Sequence, residues 1–197
     1  MKNSTLKSAN SWPSFTEKIS ELLDSISFRD RKGKEFDCEN GFSLWREMAV
    51  DTRQRQKTLF LIGNGASASM ASHFAADLAK NAHLHTQVFS DLSLITAVSN
   101  DLGFEKVFCE PLQHSACEGD LLLAISSSGC SPNIIAAIKT ARRMKLSIVS
   151  LTAMHPNNPI RSMADLNIHI KAPSYSLAET CHAAILHYWM DLLEIKR

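Results

Sequence analysis

Two stretches of the chain share one pattern, in which a continuous apolar run leads into a glycine- and serine-rich turn and then into a helical spacing. The first apolar run covers residues 58–62 and its turn residues 63–69, while the second covers 120–125 and its turn 126–133. A run without polar alternation is typical of a strand covered on both faces, as in the parallel sheets of α/β proteins. The pattern therefore predicts a parallel sheet whose two turns meet at its carboxyl edge.

The rest of the chain continues this alternation of strands and helices. Strands are predicted over 58–62, 86–89, 121–125, 147–151 and 166–171, and helices near 66–80, 93–99, 104–117, 132–144 and 176–195. Two more helices are predicted ahead of them, over 13–30 and 41–54, joined by a polar connection at 31–40. The first 55 residues are too few to bury the apolar sides of both helices alone, so we expect them to pack against another copy of the chain.

Composition and charge exclude several classes of protein. The chain has 197 residues with a formal net charge of +1, and no basic block suggests a nucleic-acid partner. The N-terminal residues lack the apolar core of a signal peptide and no apolar run is long enough to span a bilayer, so we expect a cytoplasmic protein without membrane contact. Its five cysteines are scattered and form no Cys-x-x-Cys pair, which argues against a disulfide framework or a thiolate zinc finger.

The turn at residues 126–133 has the composition of an anion site. Its four serines supply rotatable hydroxyl donors, and the first N–H groups of the following helix have no partner inside that helix. The helix dipole adds a partial positive charge at the same place. Ordinary helix capping also explains Ser131 followed by Pro132. The first turn favours phosphate binding over capping alone, because Gly63 and Gly65 allow a ligand to approach the backbone closely.

Acid–base residues recur on two of the predicted helices. His73 and Asp77 lie four residues apart, so that both side chains share one helix face. Such a pair can bind a metal ion, share a proton or be an ordinary surface pair. Glu179 and His187 are separated by about 12 Å along a regular helix, so they reach one centre only by leaning together or by coming from different subunits. His182 points about 140° away from His187, and the other histidines show no convergent spacing.

Five motifs occur in an order that resembles the sugar isomerase (SIS) domain family, and within it the phosphoheptose isomerases. They occupy residues 63–67, 73–78, 100–104, 118–120 and 126–133, and the resemblance runs from about residue 10 to the C-terminus. It implies an α/β fold with a single SIS domain over 56–197, built on a doubly wound five-stranded parallel sheet flanked by helices. It also implies a homotetramer with active sites between subunits, in which residues 1–55 form a helical extension that packs in the oligomer.

The resemblance further implies an activity and a set of site residues. The activity is an aldose–ketose isomerisation of sedoheptulose 7-phosphate to D-glycero-D-manno-heptose 7-phosphate through an enediol, for bacterial surface heptose such as that of lipopolysaccharide. Asp77 and His187 match the catalytic base and the acid/base histidine. His73, Asp77, Glu179 and His187 match a set that holds zinc in some members, one ion per site. The residues that match binding positions for the phosphate and the sugar are Asn64, Ser67, Asp101, Ser126, Ser127, Ser128, Ser131 and Glu179.

Four positions depart from the family pattern. Asp77 stands in place of glutamate and is one methylene shorter, while Glu179 stands in place of glutamine and adds a charge that should strengthen a divalent-metal site. Ala66 replaces a glycine and Asn81 an arginine. These departures leave two alternatives: a catalytically silent SIS protein that binds a sugar phosphate or a replication initiator, and an isomerase of another phosphorylated sugar.

Overall fold

A computed structural model describes residues 11–195, whose strands form one sheet in the order β2-β1-β7-β6-β5-β3-β4. The strands are β1 (Ser27–Asp30), β2 (Glu35–Phe36), β3 (Thr58–Gly63), β4 (His85–Val88), β5 (Leu121–Ser126), β6 (Ser147–Ala153) and β7 (Leu166–Ile170). The helices are α1 (Trp12–Asp24), α2 (Cys38–Gln54), α3 (Ala66–Ala82), α4 (Leu92–Leu102), α5 (Cys109–Ser115), α6 (Pro132–Arg143) and α7 (Tyr175–Asp191). Within residues 11–195, none of the helices combines the length and the apolar character needed to cross a membrane.

The parallel part of the sheet places the two glycine- and serine-rich turns side by side. Strands β3 to β7 all pair in parallel, and β5 lies beside β3 on the side opposite β4. The winding of the chain therefore reverses between β3 and β5, where open α/β sheets bind their ligands beyond the carboxyl ends of the strands. The predicted doubly wound five-stranded parallel sheet is confirmed.

A buried carboxylate ties the opposite, amino ends of β3 and β5 together. Asp120 is 3% exposed, and its two oxygens accept the N–H groups of Thr58 at 2.9 Å and of Cys117 at 2.6 Å. Each buried N–H group thus keeps an acceptor where the ladder begins. The two strands enter the sheet in a defined register, so their turns leave it at the same level.

The N-terminal segment corrects the prediction of a helix over residues 13–30. Helix α1 ends at Asp24, and β1 pairs antiparallel with both β7 and β2, which adds a hairpin to the edge of the parallel sheet. The Asp30 carboxylate accepts the N–H groups of Lys32 at 2.8 Å and Lys34 at 2.9 Å, while Gly33 has a φ of +88°. The hydrogen bonds of this turn and the open edge of β7 favour a hairpin. Residues 27–30 therefore do not continue the helix, although the helical spacing of residues 13–30 predicted that they would.

The remaining boundaries follow the predictions closely, with one further exception. The helix predicted over 104–117 is a short 3-10 turn, Phe104–Lys106, followed by the short helix α5. The N-terminal helices share the main core with the sheet, since Trp45 of α2 stacks on Trp189 of α7 with ring centroids 4.1 Å apart. The N-terminal segment therefore buries apolar surface within its own chain, and its packing against another copy stays a prediction.

Candidate functional site

The two turns enclose a cavity of about 150 Å³ at the carboxyl edge of the sheet. We call it the serine cavity, and its lining consists of Asn64, Ser67, Ile125, Ser126, Ser127, Ser128, Ser131, Tyr175 and Glu179. Apart from Asp101, every residue that was predicted to bind the phosphate or the sugar is part of this lining. The end of β5, the turns after β3 and β5 and the start of α3 supply these groups, except for Tyr175 and Glu179, which come from the first two turns of α7.

The two helices that begin at the serine cavity are not capped by the side chain of their N-cap residue. The N-cap residues of α3 and α6 are Gly65 and Ser131, and neither makes a side-chain capping hydrogen bond. Four other helices, α1, α2, α4 and α7, are capped by Ser11, Asp37, Asp91 and Ser174, while the short helix α5 also has no side-chain cap. Because the first N–H groups of a helix carry partial positive charge, uncapped ends that face one cavity favour an anion there.

Three of the five serines in this cavity are buried, and the hydroxyl of one of them, Ser126, is fully buried without a hydrogen bond. Ser67, Ser126 and Ser127 are each 5 to 6% exposed. The Ser126 hydroxyl is a buried polar group without a hydrogen bond, a state that costs free energy until an acceptor or donor arrives. Ser128 differs, since its oxygen accepts the Cys130 N–H at 3.3 Å and shapes the turn. No lysine or arginine belongs to the lining, so a bound anion would be held by neutral donors.

Two glycines give these turns their close contacts. A Cβ on Gly63 would lie 2.6 Å from the backbone carbonyl of Ser67, so β3 can run directly against the start of α3 only with glycine there. Gly129 has a φ of +64°, and a Cβ on it would collide with the side-chain amide of Asn158. Larger residues at either position would displace the hydroxyls that line the cavity.

A reciprocal amide pair joins the two turns, and the sequence analysis did not single it out. The Asn64 amide nitrogen donates to the side-chain oxygen of Asn133 at 3.0 Å, and the Asn133 amide nitrogen donates back to Asn64 at 2.8 Å. The sequence analysis includes Asn133 only as the last residue of the second turn, 126–133. Asn133 is the second residue of α6 and is only 2% exposed. A buried polar side chain at a helix start indicates a specific partner, but the sequence alone does not show that the residue is buried.

The predicted acid–base residues gather at a different place, between α3 and α7. Asp77 contacts His73 Nε2 through one carboxylate oxygen at 3.3 Å and Lys80 Nζ through the other at 3.4 Å. The His187 ring lies 5.7 Å from the His73 ring and 4.7 Å from the Phe74 ring, measured between centroids. The structure thus brings His73, Asp77 and His187 into one neighbourhood, where proton transfer between side chains is possible.

The predicted zinc ligands do not all converge within one chain. Glu179 lines the serine cavity, while the other three predicted ligands lie in the α3–α7 neighbourhood. Among residues 11–195, no group of three or more His, Cys, Asp or Glu side chains is arranged to hold a metal ion. The side chains of a single chain therefore do not fit a preformed zinc centre, and we derive no chemical step from a metal.

Asp101 and Tyr175 mark two differences between the expected site and the observed one. Asp101 is exposed at the end of α4, where its carboxylate accepts the Asn100 side-chain N–H at 2.8 Å, and it is outside the serine cavity of its own chain. Tyr175 was not predicted, although it precedes Glu179 by one helical turn and so shares its face. That spacing is the sequence signal that could have identified it.

The strongest pKa shifts belong to two histidines beneath the site, His182 and His169, neither of which the sequence analysis placed among the site residues. Burial lowers the pKa of His182 to about 4, while its Nε2 donates to the Thr152 carbonyl at 3.2 Å. Burial, together with the charge of Arg161, lowers the pKa of His169 to about 3. Both rings are neutral at pH 7 and contribute to packing under the sheet edge.

A second cavity of about 150 Å³ lies on the other side of the first turn. Its walls are mostly aliphatic and aromatic, with Phe89, Phe104 and Phe108 among them. Such a lining offers few donors to an anion. The serine cavity is therefore the better candidate for a phosphorylated ligand.

Comparison with known proteins points to one family. Residues 42–153 match the family model described as the SIS domain. The phosphoheptose isomerase of Geotalea uraniireducens is 31% identical over 154 residues, which cover 75% of this chain and 81% of the relative. The phosphoheptose isomerase of Campylobacter concisus is 34% identical over 147 residues, which cover 72% and 77%.

Solved structures agree on the fold. The phosphoheptose isomerase GmhA from Neisseria gonorrhoeae matches with a TM-score of 0.80 at 24% identity, covering 92% of this chain and 95% of that chain. A phosphoheptose isomerase from Francisella tularensis matches with the same TM-score at 22% identity. The likeness extends over nearly the whole chain, well beyond the matched residues 42–153.

Proposed function

Since this chain belongs to the SIS-domain family, in its phosphoheptose isomerase branch, we propose that it interconverts sedoheptulose 7-phosphate and D-glycero-D-manno-heptose 7-phosphate. The observation that carries the proposal is the serine cavity, in which two uncapped helix ends and an unpartnered buried hydroxyl face the same space. The reaction would take place in the cytoplasm and supply bacterial surface heptose, such as that of lipopolysaccharide.

The chemistry moves one proton between neighbouring carbons and leaves the overall oxidation level unchanged. A base removes the proton from C1 of the ketose while the carbonyl oxygen at C2 gains one, and this gives the enediol. The O1 hydroxyl then loses its proton and a proton is delivered to C2, which completes the aldose. We assign these transfers to Asp77 and His187, and general acid–base groups of this kind typically contribute about 10²–10⁴-fold each.

The size of the serine cavity suggests that one chain does not hold the whole substrate. Small-molecule sites usually enclose roughly 300 Å³ or more, so a cavity of about 150 Å³ suits the phosphate group and leaves most of the sugar outside. His187 lies two helical turns beyond Glu179, about 12 Å along α7. We propose a homotetramer in which the acid–base residues of one copy complete the serine cavity of another.

Mixing two impaired variants at a substrate concentration far below KM tests this shared site. Ser127→Ala lacks a phosphate donor and should lose most of its activity under these conditions, while His187→Ala lacks the acid/base group and should be inactive. If a site takes these residues from different copies, hetero-oligomers refolded from an equal mixture should recover up to roughly a quarter of wild-type activity. The matched control mixes Ser127→Ala with Ser126→Ala, which should recover nothing. Equal recovery in both mixtures, or none in either, would contradict the shared site.

Proton exchange tests the isomerase itself. Wild-type protein with sedoheptulose 7-phosphate in D₂O should place deuterium beside the carbonyl carbon and form the aldose, followed by NMR. His187→Ala should lose both signals while it still binds the sugar phosphate. A folded wild-type protein that binds the sugar but exchanges no proton would contradict the proposed chemistry. A parallel series of five- and six-carbon sugar phosphates identifies an isomerase of another sugar.

Zinc stays a prediction of the family resemblance. In a shared site the ligands would come from two copies, so the arrangement within one chain does not form the centre. Metal analysis of the purified oligomer should find about one zinc per chain if the prediction holds. His73→Ala removes one of the predicted ligands and should then lower the zinc content per chain. His85→Ala should leave the zinc content unchanged.

One observation favours the silent alternative, a protein that binds the sugar phosphate without turnover. Both oxygens of Asp77 already contact cationic or potentially cationic groups, His73 and Lys80, and the side chain is shorter than glutamate. Asp77→Glu separates the cases. Turnover that appears only in this variant would identify a binding protein, whereas turnover already present in the wild type would identify an enzyme.

A further inference from the structure

We propose that Asn133 is a positioning residue of the phosphate site, which acts by holding Asn64 and keeps the first turn in register with the second. The proposal deepens the proposed function and rests on it, because it takes the serine cavity as the place where phosphate binds. It adds a residue that touches no substrate and is outside the cavity lining.

The orientation of both amides is determined by the backbone. The Asn133 oxygen accepts the N–H of the next residue, Ile134, at 3.0 Å as well as the amide N–H of Asn64 at 3.0 Å. Because a backbone N–H only donates, the atom that faces it must be the oxygen of Asn133. The Asn133 nitrogen then faces Asn64 and donates to its oxygen at 2.8 Å. One helix N–H group thereby sets the direction of the complete pair.

This pair lies where the strand ladder no longer holds the turns. The last registered residues of β3 and β5 are Gly63 and Ile125, and both turns extend beyond them. Residues 64 and 133 are 69 positions apart in the chain, so the amide pair is a long-range cross-link between the two turns. Fixing two turns before a ligand binds reduces the entropy lost on binding and aims the donors at one point.

The pair also redefines the role of Asn64. Asn64 lines the cavity, but both polar atoms of its side chain are used in the bonds to Asn133. Because an amide nitrogen carries two N–H groups, one N–H of Asn64 is used in the bond to Asn133 and the second is left to donate to a phosphate. We therefore assign Asn64 a part in shaping the turn, in which its bonds to Asn133 fix the direction of that second N–H.

A double-mutant cycle with inorganic phosphate as the probe tests this assignment. Asn133→Ala and Asn64→Ala should each weaken phosphate binding by about tenfold, as expected for loss of a buried amide pair. The double variant should bind no more weakly than Asn64→Ala alone, because Asn133 acts only by holding Asn64. With sedoheptulose 7-phosphate, each change should raise KM more than it lowers kcat.

Thr140→Ala is the matched control, since Thr140 is 3% exposed on the same helix and its hydroxyl accepts a hydrogen bond from Arg143 at 2.9 Å. It should lower the unfolding temperature and leave phosphate affinity unchanged. Circular dichroism shows which variants are folded, and half-exposed Asn64 supplies a usable single variant if Asn133→Ala does not fold.

The outcomes separate this inference from the function it rests on. Phosphate affinity that is unchanged in a folded Asn133→Ala or Asn64→Ala protein would overturn the positioning role and leave the phosphate site intact. Additive losses in the double variant would also overturn it, because Asn133 would then act independently of Asn64. A wild-type protein that binds neither phosphate nor the sugar phosphate would overturn the proposed function as well.

Discussion

At the scale of single residues, the serine cavity combines neutral donors with one carboxylate. A phosphate dianion in this lining would be bound by hydroxyl and N–H groups and repelled by Glu179. Close charges of like sign at a protein surface interact by about 1–4 kcal/mol, which is enough to change affinity measurably. The negative charge of Glu179 therefore limits how strongly a negatively charged ligand binds in this cavity.

Replacement of that carboxylate should strengthen phosphate binding. We expect Glu179→Gln to bind inorganic phosphate about tenfold more tightly in metal-free buffer, since the change removes the repulsion and keeps the shape. Isothermal titration calorimetry of wild type and variant measures the difference. Weaker binding by the variant would show instead that the carboxylate assists the anion, for example through a bound cation.

The unpartnered hydroxyl of Ser126 leads to two effects of opposite direction. Ser126→Ala removes a buried group without a hydrogen bond, so the unfolding temperature of the free protein should stay unchanged or rise. Phosphate affinity should fall by about tenfold, because a donor is lost.

Ser150→Ala provides the contrast, since the buried Ser150 hydroxyl accepts the Asn167 amide at 2.9 Å. That variant should lose stability and keep its phosphate affinity. Thermal unfolding with and without phosphate measures both quantities, and a Ser126→Ala protein that loses stability but retains affinity would contradict the assignment.

At the scale of elements, α7 serves several purposes along its length. Its first turns bring Tyr175 and Glu179 to the serine cavity, its middle buries His182 against Thr152, and His187 reaches α3 further along. The periodicity of the helix predicted that His182 and His187 diverge, and the structure places them on different neighbours. The sequence could not show which face meets the sheet, because that depends on how α7 packs.

Burial of His182 makes stability depend on pH. Its pKa falls from an ordinary value of 6.5 to about 4 in the folded protein, so the unfolded chain takes up the proton first. The neutral, buried imidazole contributes its full share of stability above pH 6.5. Between pH 6.5 and pH 4 the free energy of unfolding falls by about 1.4 kcal/mol per pH unit for this one proton.

His182→Gln retains a donor for the Thr152 carbonyl and removes the titration. The free energy of unfolding of this variant, measured by urea denaturation, should fall less steeply over the same pH range. His85→Gln, at an exposed position, should keep the wild-type slope. Identical slopes in wild type and His182→Gln would contradict a neutral buried imidazole.

The strands show which elements the hydrophobic pattern of the sequence can predict. Every strand of the parallel sheet was predicted within a few residues, because a continuous apolar run is a local property of a doubly covered strand. The β1–β2 hairpin was missed because β1 is stabilised by pairing with β7, which is more than 130 residues away in the chain. A four-residue strand carries too little periodicity to compete with the helical spacing before it.

At the scale of the whole molecule, exposed aromatic and aliphatic side chains fit the proposed oligomer. Trp12 and Leu92 are each 74% exposed, and Phe104 is 56% exposed. Large apolar side chains of this kind favour contact with another protein surface when they form contiguous patches. Trp12 stacks on Phe15 at the start of α1, so the N-terminal segment is one candidate for such a contact.

Sedimentation equilibrium tests the assembly. We expect a species of four 21.8 kDa chains at micromolar concentration, and a smaller species for Trp12→Glu, which places a charge in the proposed contact. Glu21→Lys, which changes a charge on the opposite face of α1, is the control and should stay tetrameric. A wild-type protein that sediments as a monomer would contradict the tetramer and, with it, the shared active site.

The sequence by itself determined the strand–turn–helix units, the serine-rich composition of their turns and the pairing of His73 with Asp77. Each of these depends on residues close together in the chain, where periodicity and turn chemistry act directly. Only the tertiary structure decided that Asn133 faces Asn64, that Glu179 joins the serines while His187 joins His73, and that residues 27–30 extend the sheet. These contacts depend on strand register and on helix packing between segments that are far apart in the chain. A local sequence pattern contains no information about either.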